Sequence, residues 1–290
     1  MSSWRTVVVS QSAKLDYQMG FLIVRSGETR KVHLEELHTL IIESTAVSIT
    51  AYLLQELVKH KVKVIFCDVK RNPSAELIPY YGSHDTSIKV RNQIEWSEEV
   101  KTAVWTEIIA EKIKQQAELL KVNGKTEEIL LRSYIDELEF EDSTNREGHA
   151  AKVYFNALFG KKFSRSDENS INAALNYGYS LLLSSFNREI SACGYITQLG
   201  LSHSNRFNPF NLASDLMEPF RPLVDRRVIK LNPEIFETDE KHFMVGLLSE
   251  EVLINGRSEY IPNAVKIYVK SIFDILNSKG EGEIRFYKVL

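Results

Sequence analysis

Three stretches of the chain hold side chains that could do chemistry together. In "DLMEPFRPLVDRR", residues 215–227, Asp215 and Glu218 stand three apart, a proline follows at once, and Arg221, Arg226 and Arg227 come next, with Lys230 shortly after. On a helix the two acids would share a face, a mildly destabilising arrangement unless a cation lies near them. Pro219 removes a backbone donor and biases Glu218 away from the α region, so either a helix kinks here or a new one starts with Pro219 in its first turn. The basic residues read as a solvated helix end or as contacts to phosphates, with Lys161, Lys162 and Arg165 as a second basic cluster.

"STNREGHAAKVYFNALFG", residues 143–160, places Glu147, Ala150, Ala151, Tyr154 and Leu158 on one helical face and His149, Lys152 and Asn156 on another. Glu147 therefore heads an apolar stripe, where a carboxylate is costly unless protonated, hydrogen-bonded or bound to a cation. Two readings stand. Thr144-x-x-Glu147 before an apolar run is a capping box, or Glu147 is a metal ligand. His149 reads as a solvated helix residue. In "GLSHSNRFNPFN", residues 200–211, turn formers surround His203, placing it on a loop, as a backbone-bonded side chain or a functional one. Glu147, His203 and a later acid from three segments make a mixed O/N donor set suited to Mg²⁺ or Mn²⁺ and free of the thiolates that favour structural zinc.

The elements that must position these residues divide the chain in two. Up to residue 82, "RTVVVSQ", "GFLIVRS", "HTLIIES" and "VKVIFCD" read as strands separated by turns, with one helix, "SITAYLLQELVKHK", ahead of the last of them. "RNPSAELIPYYGSHD" supplies prolines and a glycine and reads as a boundary. From residue 86 to 290 the periodicity is helical, beginning with "SEEVKTAVWTEIIAEKIKQQAELLKV". We therefore expect an α+β protein, a small N-terminal β-rich domain (1–82) followed by a larger all-α domain (86–290) that carries the site. Gly178 in "NYGY" costs a helix about 1 kcal/mol relative to alanine, which suggests close approach of another helix or of DNA. Tyr177 and Tyr179 could be core or could touch DNA.

The totals set limits on function. With 290 residues, 43% of them hydrophobic, a full core can be buried. A formal net charge of -3 argues against nonspecific coating of nucleic acid, so any DNA contact must be a local basic surface. Cys67 and Cys193 form no C-x-x-C motif, which suggests neither a disulfide framework nor a structural zinc site and fits a reducing cytoplasm. No apolar run reaches the roughly 20 residues of a membrane helix, and "MSSWRTVVVS" is too short an apolar start for a signal peptide. A soluble cytoplasmic protein is expected.

"REGHAAKVYF", "NYGYSLLLSS", "GLSHSNRFNPFNLASDLMEPFRPLVD" and the β-then-α layout resemble, over essentially the whole chain, the larger subunit of the CRISPR-associated spacer-acquisition integrase, most of all members that accompany single-protein effector nucleases. The resemblance implies that Glu147, His203 and Glu218 hold one divalent metal, Mg²⁺ or Mn²⁺, and that Asp215 supports the site. Many members have Asp at the position of Glu218. It also implies a homodimer formed largely through the β domains, joined to a small ferredoxin-like adaptation subunit, with other adaptation or effector proteins as further partners and double-stranded DNA as substrate. The implied reaction is transesterification, in which the 3′-hydroxyl of a short DNA fragment attacks a phosphodiester at a repeat boundary of the CRISPR array. With water as nucleophile the same site would be an endonuclease. Arg206, Arg221, Arg226, Arg227, Lys230, Lys161, Lys162, Arg165 and Tyr177 are the expected DNA contacts. A stand-alone metal-dependent nuclease on branched DNA, a DNA-binding scaffold without chemistry and a helical interaction module are the competing readings.

Overall fold

The computed structural model of the protein describes residues 4–79, 83–139, 142 and 144–290; the expected domain end at residue 82, like Ser143 of the Glu147 segment, lies outside the described residues. The first third forms two sheets. Strands β1 (Arg5–Val9), β2 (Ala13–Gln18), β3 (Phe21–Ser26), β4 (Glu28–His33), β5 (Leu37–Ile42) and β6 (Val47–Ile49) lead to helix α1 (Ala51–Lys59) and to β7 (Lys63–Cys67) and β8 (Pro73–Glu76). One sheet runs β4-β3-β2-β6 and the other β1-β5-β7-β8. Gly20 and Gly27, at φ +87° and +72°, make the tight turns of the β2-β3-β4 meander, a backbone conformation that suits glycine. Thr50 caps α1 by accepting from the Leu53 amide at 3.2 Å.

The second sheet shows why β5 carries the consecutive apolar run Leu40-Ile41-Ile42 rather than an alternating pattern. All six residues of β5 are buried, since the strand lies parallel between β1 and β7 with both faces covered. Leu40 and Ile42 join Leu15, Leu22, Leu53 and Leu57 in a front core, whereas Ile41, with Ile65 and Cys67 of β7, packs into the helical core.

The helical part comprises α2 (Thr86–Glu95), α3 (Glu98–Val122), α4 (Glu128–Asp136), α5 (Arg146–Phe159), α6 (Ser170–Ala192), α7 (Asn211–Leu216), α8 (Arg221–Leu231) and α9 (Thr238–Val245), then β9 (Glu251–Ile254), β10 (Arg257–Tyr260), α10 (Ile261–Asn277) and β11 (Tyr287–Val289). The small antiparallel sheet β10-β9-β11 is an addition to the helical pattern read from the sequence. Its hairpin turns on Asn255-Gly256, both at positive φ, the dipeptide such a turn prefers. α3 and α6 form the spine. At Gly178 a Cβ would lie 2.4 Å from Val224 Cγ1 and 2.8 Å from Met244 Cε, so the close approach inferred there is that of α8 and α9. Among the described residues no helix is long and apolar enough to cross a membrane.

Candidate metal centre

The "DLMEPF" stretch breaks its helix rather than continuing it. α7 ends at Leu216, Glu218–Phe220 forms a single 3₁₀ turn with Pro219 near its start, and α8 begins at Arg221. This break sends the two acids to different tasks. Asp215 is fully buried and turns to the loop 201–203, where its carboxylate accepts from the amides of Leu201 (2.6 Å), Ser202 (3.1 Å) and His203 (3.2 Å) and from Nδ1 of His203. Gly200 makes this possible, since a Cβ there would stand 2.6 Å from Asp215 Oδ2 and 2.4 Å from the His203 carbonyl. Glu218, 4% exposed, turns instead toward α3 and α8.

There Glu218 meets Glu147. Lys112, on the buried side of α3, places its ammonium against Oε1 of Glu147 at 2.5 Å and against Oε2 of Glu218, so carboxylates from two elements converge on one positive charge. Arg221 donates from Nε to Glu218 Oε1 at 2.7 Å and stacks over Tyr179, 4.7 Å from the ring centroid. Burial alone would raise the Glu218 pKa, but Lys112 and Arg221 outweigh it and hold the carboxyl below its usual range. Burial alone would likewise lower Lys112, and Glu218 and Glu147 hold it above its usual value. The hydrogen bond to Asp215 raises His203 against partial burial, and Glu218 and Glu147 add to the rise.

Asp215, as an acceptor, fixes the proton of neutral His203 on Nδ1 and leaves the Nε2 lone pair free, the orientation that histidine ligands of metals receive from a carboxylate behind them. The Lys112 ammonium holds the buried Oε2 of Glu218 as an ion pair. Among the described residues no three His, Cys, Asp or Glu side chains gather closely enough to hold a metal ion as they stand, and the Lys112 ammonium lies between the two glutamates. A converging carboxylate pair and an imidazole nitrogen set by Asp215 nevertheless fit a hard divalent cation.

The capping-box reading of Glu147 fails. The cap of α5 comes from Asp142, whose carboxylate accepts from the amides of Arg146 (2.6 Å) and Glu147 (3.0 Å), while the Thr144 hydroxyl is buried without a partner. That leaves the Glu147 side chain free to reach Lys112. His149 is exposed, as expected.

The expected DNA contacts separate into groups. Arg221 and Arg165 lie at the site, Arg165 over Tyr179 at 5.5 Å and bonded to Asn176 at 2.6 Å. Arg206 is exposed on the His203 loop, and Lys161, Lys162 and Lys230 are exposed in the helical part. Arg226 is half-buried, 3.7 Å from Glu250. Two assignments are corrected. Arg227 is a clamp rather than a phosphate contact, donating from Nε to the Phe243 carbonyl at 2.7 Å, pairing with Glu250 and lying 4.2 Å from the Phe243 ring centroid. Tyr177 is core: it is 4% exposed, faces Phe236 and Lys241 on the side of α6 away from Tyr179, and has no bonded hydroxyl.

Lys112 escaped the sequence reading, although a signal existed: it falls four residues after Ile108 and three after Ile109, inside the buried stripe of α3. The hydrogen bonds that Tyr154 and Tyr179 both donate to the buried Asp225 of α8, Tyr154 at 2.7 Å, also escaped it. Burial pushes the Asp225 carboxyl up to about 6 against the bonds from the two hydroxyls.

A strand-rich front set against a helical body, with a cation-binding acid pair, a carboxylate-oriented histidine and stacked arginines, defines a mixed α/β protein suited to phosphate-ester chemistry. Residues 6–255 match the family described as CRISPR associated protein Cas1. The CRISPR-associated endonuclease Cas1 of Neisseria meningitidis serogroup C (strain 8013) is 38% identical over 231 residues, 79% of this chain and 76% of that one. The chain belongs to the Cas1 family. Its fold is shared with a casposase bound to integration product, at a TM-score of 0.76 and 19% identity, covering 96% of this chain and 92% of that one. It is shared also with a Cas6-RT-Cas1–Cas2 complex, at a TM-score of 0.73 and 19% identity, covering 96% of this chain and 35% of that one.

Proposed function

We propose that Glu147, His203 and Glu218 hold one divalent cation, Mg²⁺ or Mn²⁺, and that the protein joins DNA there. The protein is a DNA endonuclease and integrase of CRISPR spacer acquisition, the role carried by its Cas1 family membership. The single observation that supports the site is the convergence of the Glu147 and Glu218 carboxylates on one positive charge, beside a histidine whose free nitrogen Asp215 orients. A bound Mg²⁺ or Mn²⁺ would supply polarisation of the phosphoryl oxygen and positive charge for the in-line transition state. The 3′-hydroxyl oxygen of the fragment bonds to phosphorus at the repeat boundary, the phosphorus bond to the far 3′ oxygen breaks, and the hydroxyl proton ends on that departing oxygen. Arg221, stacked on Tyr179 and beside Glu218, faces the phosphate, with Arg165 across the same ring. Arg206, Arg226, Lys230, Lys161 and Lys162 guide the double-stranded DNA backbone as surface charges.

The front sheets, residues 1–82, form the dimerising domain and residues 86–290 the catalytic one. A small ferredoxin-like adaptation subunit bridges two such dimers in the cytoplasm. The Cas6-RT-Cas1–Cas2 neighbour, an assembly by its title, supports the presence of adaptation partners.

The test is transfer of a labelled short duplex into a plasmid carrying repeat DNA, with the small partner present, in Mg²⁺, Mn²⁺ or EDTA. Transfer should require the metal and be lost in a folded His203→Ala variant. Metal-independent transfer, or an active His203→Ala, would remove the site from the reaction.

A further inference from the structure

We propose that Lys112 is a displaceable counter-cation: in the metal-free protein its ammonium holds Glu147 and Glu218 together, and on metal binding it turns toward Gln116. This inference rests on the reading of Glu147 and Glu218 as metal ligands.

The first observation is the bridge itself. Two carboxylates brought this close in a largely dehydrated setting repel each other, and a site kept assembled for metal needs a positive charge in the meantime. Lys112 supplies it from the rigid middle of a 25-residue helix, with 9% of its side chain exposed. The same charge competes with a metal ion for the same oxygens, so the arrangement sets how much metal the protein needs.

The second observation is independent of the bridge. One turn further along α3, Gln116 is 3% exposed and its Oε1 is buried without a hydrogen-bond partner, an unusual expense for a folded protein. Lys112 and Gln116 line one cavity of about 250 Å³ together with Asp225, Tyr179 and Arg165. An ammonium leaving the glutamates has there an acceptor at helical i+4 spacing. Gln116 is thus the receiving group of a two-position lysine, and Lys112 acts on the reaction through the ligands it positions.

The experiment measures Mn²⁺ binding to the full chain by calorimetry and by the electron paramagnetic resonance of free Mn²⁺, with thermal unfolding in EDTA and in Mn²⁺. Lys112→Met should bind Mn²⁺ with a dissociation constant lower by about tenfold or more, because the competing charge is gone. It should also unfold at a lower temperature in EDTA and regain most of that loss in Mn²⁺. Gln116→Leu should move the other way, weakening Mn²⁺ binding several-fold, and should have no effect in the Lys112→Met background. Equal Mn²⁺ affinity in wild type, Lys112→Met and Gln116→Leu would overturn the proposal while leaving the metal site in place. Wild-type Mn²⁺ binding insensitive to Glu147→Ala would instead overturn the site reading on which it rests. Should Lys112→Met fail to fold even with Mn²⁺, a crystal structure of the wild type with Mn²⁺ decides: the ammonium turned to Gln116 supports the proposal, and the ammonium still bridging both glutamates refutes it.

Discussion

The two halves of α8 carry the same side chain to opposite ends. Arg221, in the first turn, pairs with Glu218 and stacks on Tyr179 beside the candidate metal centre. Arg227, less than two turns later, faces the α9 side, where it bonds the Phe243 carbonyl and pairs with Glu250. Between them Asp225 is buried under two tyrosine hydroxyls, and Val224 packs on Gly178 of α6. A run of arginines therefore says little about nucleic acid until the helical face of each is known. One guanidinium lies against the acid pair and one ties the helix to its neighbour.

The comparison breaks most sharply by substitution at its two ends. Arg221→Ala should reduce strand transfer per folded molecule by roughly 10- to 100-fold, the usual cost of removing a partner of a metal ligand; unchanged transfer would place Arg221 with Arg227 as a clamp. Arg227→Ala should cost about 2 kcal/mol or more of stability in urea unfolding, since the Phe243 carbonyl and Glu250 lose their donor, with transfer per folded molecule held near that of the wild type.

The middle of the helix sharpens it further. Gly178→Ala should destabilise by about 1–3 kcal/mol through the clash with Val224, although alanine is intrinsically the better helix former by about 1 kcal/mol. A gain in melting temperature would mean that α8 shifts easily, and with it Arg221. A further effect concerns pH. Folding raises Asp225 from 3.8 to about 6, so the folded state binds this proton more tightly than the unfolded chain. Its contribution to stability is fully present below 3.8 and declines as pH rises through about 6. The stability of wild type relative to Asp225→Asn should therefore fall across that window and level off above it. A flat difference would show that the two tyrosine hydroxyls already offset the burial of the carboxylate.

Much of this was legible in one dimension. The β-then-α order follows from short runs of β-branched and aromatic residues giving way to long stretches at helical spacing. The loop around His203 follows from Gly200, Asn205, Asn208 and Pro209, and the break before α8 from Pro219. Where reading by pattern failed, one local signal lost to another. Thr144-x-x-Glu147 satisfies the spacing of a capping box, but Asp142 reached the free amides first and released Glu147. Asn255-Gly256 carried a hairpin signal that was outweighed by the helical texture around it.

The sequence by itself determined the candidate donor types, Glu147, His203 and Glu218 without thiolates, the family resemblance, and the punctuation that lets them lie on separate elements. These are local properties, set by side-chain chemistry and by what glycine and proline allow the backbone. Tertiary structure alone decided that Asp215 serves His203 while Glu218 turns to Glu147, that Lys112 lies between the glutamates, and that Arg221 rather than Arg227 faces the site. Each of those outcomes depends on which helix faces meet, and the charge that compensates a buried carboxylate can come from anywhere in the chain: for Glu147 it comes from Lys112, across the α3–α5 contact.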